Sequence, residues 1–148
     1  MRMARTGANC NEVSETGMKT FYVGVKGAIV RGSQVLLLKK AGEDLWEAPG
    51  GRIDDDETIH QALERELREE VPNIASIQIG DIIGAHRVPK DIDGNKSLVL
   101  IYYVVQADFD GEPELSEEHE DYMWANRDEA LQRMVDKREI IESIFKEL

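Results

Sequence analysis

Cysteine, aromatic residues and positive charge are all scarce in this chain of 148 residues. The single cysteine, Cys10, has no intrachain disulfide partner, so a reducing, cytoplasmic environment is expected. Lys and Arg number 18 against 30 Asp and Glu, a net charge of -12. Nucleic acid polymers and anionic membranes are bound by clustered cations, so neither is expected as the main partner. No apolar run reaches membrane-spanning length, and no signal-peptide core is visible at the N-terminus.

The length and the hydrophobic content of 41% predict one globular domain. Residues 1–17 show neither helical nor strand periodicity and hold few large apolar side chains, so we expect a disordered tail. The domain is predicted over residues 18–148. Either the leader is native or translation begins at Met18. A monomer or a homodimer is expected.

A glycine turn, an acidic loop and a helix are predicted in sequence between Gly50 and Pro72. Thr58 and Gln61 have the spacing of a capping box, which places the helix start at Ile59. Pro72 ends the helix, because proline lacks the backbone donor and restricts the residue before it. One arc of the helix is apolar and is predicted to be buried. It contains Ile59, Ala62, Leu63, Leu67 and Val71.

Three carboxylates fall on or beside this apolar arc, namely Glu66, Glu69 and Glu70. Glu64 and Arg68 lie on the opposite face at the spacing of an exposed ion pair. Carboxylates gathered at a buried edge repel one another and lose hydration unless a cation compensates them. Arg65 and Arg68 are predicted to point elsewhere. The remaining natural partner is a hard divalent cation such as Mg²⁺.

The spacing Gly51-x5-Glu57-x7-Arg65-Glu66-Leu67-x-Glu69-Glu70 resembles the Nudix box, G-x5-E-x7-R-E-U-x-E-E-x-G-U, in which U is apolar. The lead-in WEAPGG at residues 46–51 is also similar to the entry of that box. Pro72 and Asn73 depart from the pattern, which has glycine and an apolar residue there. We expect these two residues to shift the loop after the helix and to leave the site intact.

The resemblance implies the α/β class, with a Nudix α/β/α sandwich and a mixed β-sheet. It also implies a hydrolase that uses Mg²⁺, with Mn²⁺ as a substitute, on a small nucleotide. The implied catalytic residues are Glu57, Arg65, Glu66 and Glu69. The implied metal ligands are the Gly50 carbonyl, Glu66, Glu69 and Glu70, one of these glutamates acting instead as the base. Glu57 binds metal or pairs with Arg65.

Three further stretches of the chain contain candidate site residues. Arg52 follows the glycine pair at a position that is commonly basic in similar Nudix sequences, near the substrate phosphates. Lys39 or Lys40 either reaches a phosphate or forms a solvated strand end. Residues 116–124 resemble the Nudix stretch before the last helix, where Glu118 or Glu120 supplies a metal ligand or the base. The intervening His119 is expected to be a structural hydrogen-bonding residue.

The rest of the chain alternates strand and helix patterns. A central hairpin (21–31 and 34–40), two long strands (74–88 and 97–107), a short strand (122–125) and two closing helices (127–134 and 137–147) are predicted. Gly80 and Gly84 suggest bulges, and 91–95 is interpreted as a turn. Residues 108–121 are expected to form a surface loop. Asn126 with Glu129 and Asp136 with Glu139 have the spacing of capping boxes.

The leading hypothesis is a MutT-like hydrolysis of a nucleoside triphosphate to a monophosphate and pyrophosphate. An ADP-ribose or nucleotide-sugar pyrophosphatase is an alternative, since Pro89 resembles a feature of ADP-ribose-cleaving relatives. A non-catalytic nucleotide-binding module is disfavoured by the intact acids of the box. A calcium-stabilised structural domain is the remaining hypothesis.

Overall fold

A computed structural model describes residues 18–148. The predicted tail, residues 1–17, lies outside the described residues. The strands are β1 (Thr20–Arg31), β2 (Gln34–Lys40), β3 (Trp46–Glu47), β4 (Gly50–Arg52), β5 (Ile74–Arg87), β6 (Lys96–Phe109) and β7 (His119–Ala125). The helices are α1 (Ile59–Glu70), α2 (Arg127–Arg133) and α3 (Arg138–Lys146). Within residues 18–148, none of the helices has the length and apolarity needed to cross a membrane.

The strands form one mixed sheet in the order β3-β2-β1-β6-β5, with β4 paired to β1 and β7 paired to β2. β1 and β6 are parallel from Thr20 opposite Lys96 to Ile29 opposite Val105, whereas β5 and β6 are antiparallel. The predicted mixed sheet is confirmed. The parallel pair places β1 at the centre, where its neighbours β4 and β6 bring distant parts of the chain together.

The predicted central hairpin is only partly correct. β1 and β2 pair at Val30 with Val35 and at Arg31 with Gln34, next to the turn. Beyond that point β1 is occupied by β4 and β6, and β2 pairs with β3 and β7 instead. A turn signal predicts where two strands meet, but not how far the pair continues.

Two apolar cores cover the two faces of the sheet, as the alternation of side chains along β2 illustrates. Val35 and Leu37 pack with α2 and α3, whereas Leu36 and Leu38 pack with α1. The helices contribute Ala62, Leu63 and Leu67 on one side and Ala130, Ile140, Ile141 and Ile144 on the other. Helices therefore pack on both faces, and the predicted α/β/α sandwich is confirmed.

Two of the three predicted capping boxes are present. Thr58 caps α1 with Gln61, and Asn126 caps α2 with Glu129. The box predicted for α3 from Asp136 is wrong. Lys137 occupies the N-cap position, without a side-chain cap hydrogen bond, so Asp136 lies one residue too early.

The acidic segment after β6 is shorter than predicted, because β6 extends to Phe109 and β7 begins at His119. The Asn73 side-chain amide donates to the carbonyls of Asp110 and Glu112, and its oxygen accepts from the Glu114 N–H. The residue that departs from the box thus holds the acidic segment against the end of α1. Register shifts between Ile79 and Gly84 confirm the bulges predicted there.

Candidate active site

The inner edge of α1, strand β4 and the start of β7 enclose a cleft of about 580 Å³. It is lined by Lys40, Ala41, Glu47, Gly50, Gly51, Arg52, Glu66, Glu70, Glu117, Glu118 and His119. The glycine pair permits this packing. A side chain at Gly51 would overlap the Glu66 carboxylate. A side chain at Gly50, where φ is +142°, would overlap the Val25 carbonyl.

Glu70 is the most buried acid of this cleft, with 5% of its surface exposed. Its carboxylate accepts from the Gly50 N–H at 3.0 Å, and its carbonyl accepts from the Ser116 N–H at 3.0 Å. Burial raises the pKa of Glu70 to about 7, although Lys26 and the Gly50 N–H oppose the shift. Glu70 therefore ties the helix to β4 and to the acidic segment while presenting a carboxylate in the cleft.

Glu66 lies one turn earlier on the same edge of α1. Burial raises its pKa, with smaller contributions of the same sign from Glu69 and Glu118 and an opposing contribution from Arg65. Two neighbouring acids of the cleft thus both hold a negative charge less readily than an exposed glutamate does.

Arg65 contacts four carboxylates, those of Asp54, Glu57, Glu66 and Glu69, so the prediction that it points elsewhere is wrong. Its guanidinium pairs with Glu57 through two nitrogens and donates to Glu66 at 2.9 Å and to Glu69 at 3.3 Å. These hydrogen bonds, together with the Asp54 N–H, lower the pKa of Glu57 to about 2. Glu57 was expected either to bind metal or to pair with Arg65, and the described structure contains the pair with Arg65.

Glu69 does not lie at the buried edge, which corrects its place on the predicted helix face. Its side chain is 60% exposed and is absent from the cleft lining, although it contacts Arg65. Its role as a metal ligand or base stays a prediction.

The structure separates Glu118 from Glu120. Oxygens of Glu70 and Glu118 and a ring nitrogen of His119 lie within 4.8 Å of one another. Glu120 instead pairs with Lys39 and accepts from the Gly42 N–H at 2.9 Å, contacts that lower its pKa. Glu118 thus lies in the cleft beside α1, and Glu120 lies with Lys39 away from it. Among the predicted phosphate-binding cations, Arg52 and Lys40 line the cleft and Lys39 does not.

Glu47 and Lys26 join the site without having been predicted for it. Glu47 lies 2.9 Å from Nε2 of His119 and 3.5 Å from Nζ of Lys26. Burial alone would raise the pKa of Glu47, but the His119 hydrogen bond and the charge of Lys26 lower it to about 2. The sequence does contain a sign of the role of Lys26, because this residue is a single charge within the apolar run of β1. His119 forms the structural hydrogen bond that was expected of it.

A second pocket, of about 400 Å³, adjoins the cleft and shares Lys40, Glu47, Gly51 and Arg52 with it. Its apolar lining consists of Leu45, Val88, Ile92, Leu98, Leu100 and Tyr102. Arg52 lies at the boundary, where its guanidinium is 4.2 Å from the centre of the Tyr22 ring and 3.9 Å from Asp93. An acidic cleft thus meets, at β4, a pocket that combines this apolar lining with further charged residues. These are Lys26, Glu43, Lys90, Asp136 and Lys137.

Several known proteins are similar to this chain in sequence and fold. The NUDIX domain matches residues 21–144. The CTP pyrophosphohydrolase of Escherichia coli (strain K12) is 32% identical over 112 residues, covering 73% of this chain and 78% of that protein. The asymmetrical bis(5'-nucleosyl)-tetraphosphatase of Rattus norvegicus is 32% identical over 99 residues, covering 66% and 67%. The crystal structure of a MutT NUDIX hydrolase from Burkholderia pseudomallei superposes with a TM-score of 0.69 at 27% identity, covering 85% of this chain and 99% of that one.

This chain belongs to the Nudix family. It is a pyrophosphohydrolase, as the family and its named hydrolase relatives indicate.

Proposed function

We propose that this enzyme hydrolyses a nucleoside triphosphate to a nucleoside monophosphate and pyrophosphate, with Mg²⁺ as its cation. The observation that carries the proposal is the shared wall between the acidic cleft and the apolar pocket. A triphosphate chain suits the cleft, and a nucleobase suits the pocket. The Escherichia coli relative is named for a nucleoside triphosphate, which supports the same substrate class.

The cleft residues fit a hard divalent cation. Carboxylate and carbonyl oxygens are the donors that Mg²⁺ prefers. Burial raises the pKa values of Glu66 and Glu70, and a cation at their carboxylates would offset this cost of ionisation. We assign the Gly50 carbonyl, Glu66, Glu70 and Glu118 as the residues that hold the cation, with Glu69 as a further predicted ligand. A divalent cation there would neutralise phosphate oxygens and favour deprotonation of a bound water.

The protein's own residues position the reaction. Arg52 and Lys40 bind phosphate oxygens at the cleft rim, and Arg65 holds Glu57 and Glu66 in place. Water forms a new bond to a phosphorus of the pyrophosphate bridge while the bridging P–O bond breaks, and the leaving phosphate oxygen takes that electron pair. A cleft carboxylate that is not engaged by the cation accepts the proton of the water.

A substrate panel tests the proposal. The purified protein is incubated with Mg²⁺ and nucleoside triphosphates, nucleotide sugars, ADP-ribose or dinucleoside polyphosphates, and the products are separated by chromatography. We expect a nucleoside monophosphate and pyrophosphate in equal amounts from a triphosphate, and loss of turnover when the metal is chelated. Release of orthophosphate with a nucleoside diphosphate, or faster cleavage of ADP-ribose or a nucleotide sugar, would overturn it.

A further inference from the structure

Lys26 is a buried lysine at the junction of the two compartments. It lies in the middle of β1, where it pairs with Gly50 of β4 and Tyr102 of β6. The residue is 7% exposed and lines the apolar pocket together with Leu100 and Tyr102. It is not part of the lining of the acidic cleft, which it approaches only through Gly50 and Glu47. Its side chain therefore borders the pocket, and its ammonium group lies at the shared wall beside Gly50 and Glu47.

The ammonium group of Lys26 is incompletely coordinated by the residues that the structure describes. Nζ lies 3.4 Å from the Gly50 carbonyl and 3.5 Å from a Glu47 oxygen. Charge-assisted hydrogen bonds of this type are ordinarily about 2.7–2.9 Å long, and an ammonium has three donors to satisfy. A buried charge with long contacts is costly, so an acceptor that enters the pocket gains a hydrogen bond from a group already in place.

We propose that Lys26 is a specificity-determining residue that donates to a ring carbonyl of the substrate's base, so that 6-oxopurine nucleotides are preferred over 6-aminopurine nucleotides. This inference rests on the proposed function, because it requires the base to occupy the apolar pocket. An ammonium only donates hydrogen bonds, so a carbonyl pairs with it. The 6-amino group of adenine is also a donor and leaves two donors facing each other.

A phosphate oxygen is a less suitable acceptor for Lys26. The phosphates are expected beside the metal-binding acids of the cleft, at the boundary where Arg52 and Lys40 line both compartments. Glu47 borders both compartments and already faces Lys26 with negative charge. A neutral carbonyl can enter beside Glu47, whereas a phosphate would bring a second anion against it.

ITP and ATP provide the sharpest test, because their bases differ in the substituent at position 6 and in the N1 proton that follows from it. We measure kcat/KM for both nucleotides with Mg²⁺ in the wild-type protein and expect a preference for ITP of about tenfold or more. Lys26→Met, which keeps chain length without the charge, should bring the ratio toward one by lowering the value for ITP. Lys146→Met removes an exposed lysine at the end of α3 and should keep the wild-type ratio.

Lys26→Gln is a second variant, which keeps the role of Lys26 testable if Lys26→Met fails to fold. Its amide both donates and accepts, so we expect the ratio to fall through a gain in ATP hydrolysis, which an unfolded protein cannot give. Melting temperatures are recorded for every variant. Equal kcat/KM values in the wild type, or an unchanged preference in a folded Lys26→Met or Lys26→Gln protein, would overturn the role of Lys26 alone. Failure to hydrolyse any nucleoside triphosphate would overturn the proposed function together with it.

Discussion

Glu64 and Glu70 belong to the same helix and have the same side chain, yet they differ in burial and in the groups that they contact. Glu64 is half exposed and accepts from Arg68 at 3.2 Å, as in many solvated helix pairs. Glu70 is buried against β4 and the acidic segment, and its pKa is raised to about 7. The comparison teaches that burial and partners, not residue type, separate a solvated acid from a member of the site.

Arg65 marks the boundary between these two faces of α1. It contacts Glu57 and Glu66 on the inner side and Glu69 on the exposed side. An arginine that bridges several carboxylates holds them in fixed positions through directed hydrogen bonds. It can therefore keep Glu66 oriented in the cleft, although it does not line the cleft itself.

The largest effect is expected on kcat/KM when Glu70 and Glu64 are neutralised one at a time. The assay uses the nucleotide for which the wild-type enzyme has the highest kcat/KM. Glu70→Gln should lower it by about a hundredfold or more, because the substitution removes a proposed metal ligand. Glu64→Gln is the matched control and should retain activity within about twofold, since it alters only an exposed pair. Similar losses in both variants would contradict the division of α1 into a site face and a solvated face.

A smaller effect of the same two substitutions is expected on the rise in Tm that Mg²⁺ causes. A cation that binds only the folded protein stabilises it by about 2.7 kcal/mol at a hundredfold excess over Kd, which raises Tm by several degrees. Differential scanning calorimetry with and without Mg²⁺ should detect this shift in the wild type and in Glu64→Gln. It should be reduced in Glu70→Gln. Equal shifts in the two variants would argue that Mg²⁺ binds away from Glu70.

The smallest effect concerns the metal-free protein, in which the raised pKa of Glu70 makes stability depend on pH. The folded state holds the Glu70 proton up to a pKa of about 7, against 4.5 as its ordinary value. Its contribution to stability is therefore complete below pH 4.5 and is lost as the pH rises through 7.

Melting curves in the presence of a chelator measure this loss. The Tm of Glu70→Gln minus that of the wild type should grow between pH 4.5 and 7, because the variant cannot acquire the buried charge. Glu64→Gln, at an exposed position of the same helix, is measured alongside as the control for the general effect of pH on the domain. A constant difference for Glu70→Gln would show that its environment does not disfavour ionisation.

The boundaries of α1 and the positions of its acids follow from the sequence. Thr58 and Pro72 act within one turn of the helix, so the signals that begin and end it are local. The 3.6-residue period likewise placed Glu66 and Glu70 on the inner edge and Glu64 on the outer face. The box spacing then identified the family, and the family implied the sandwich.

Which residues meet across the cleft depends on the packing of distant segments. A helical wheel gives the direction of a side chain from its own axis, but not the reach of Arg65 or the exposure of Glu69. The choice of Glu118 over Glu120 depends on how β7 joins β2. Glu47 lies in the cleft with Lys26 beside it, because the pairing of β1 with β4 and β6 brings distant segments to one point. Such contacts are set by long-range packing, which local propensity and periodicity do not encode.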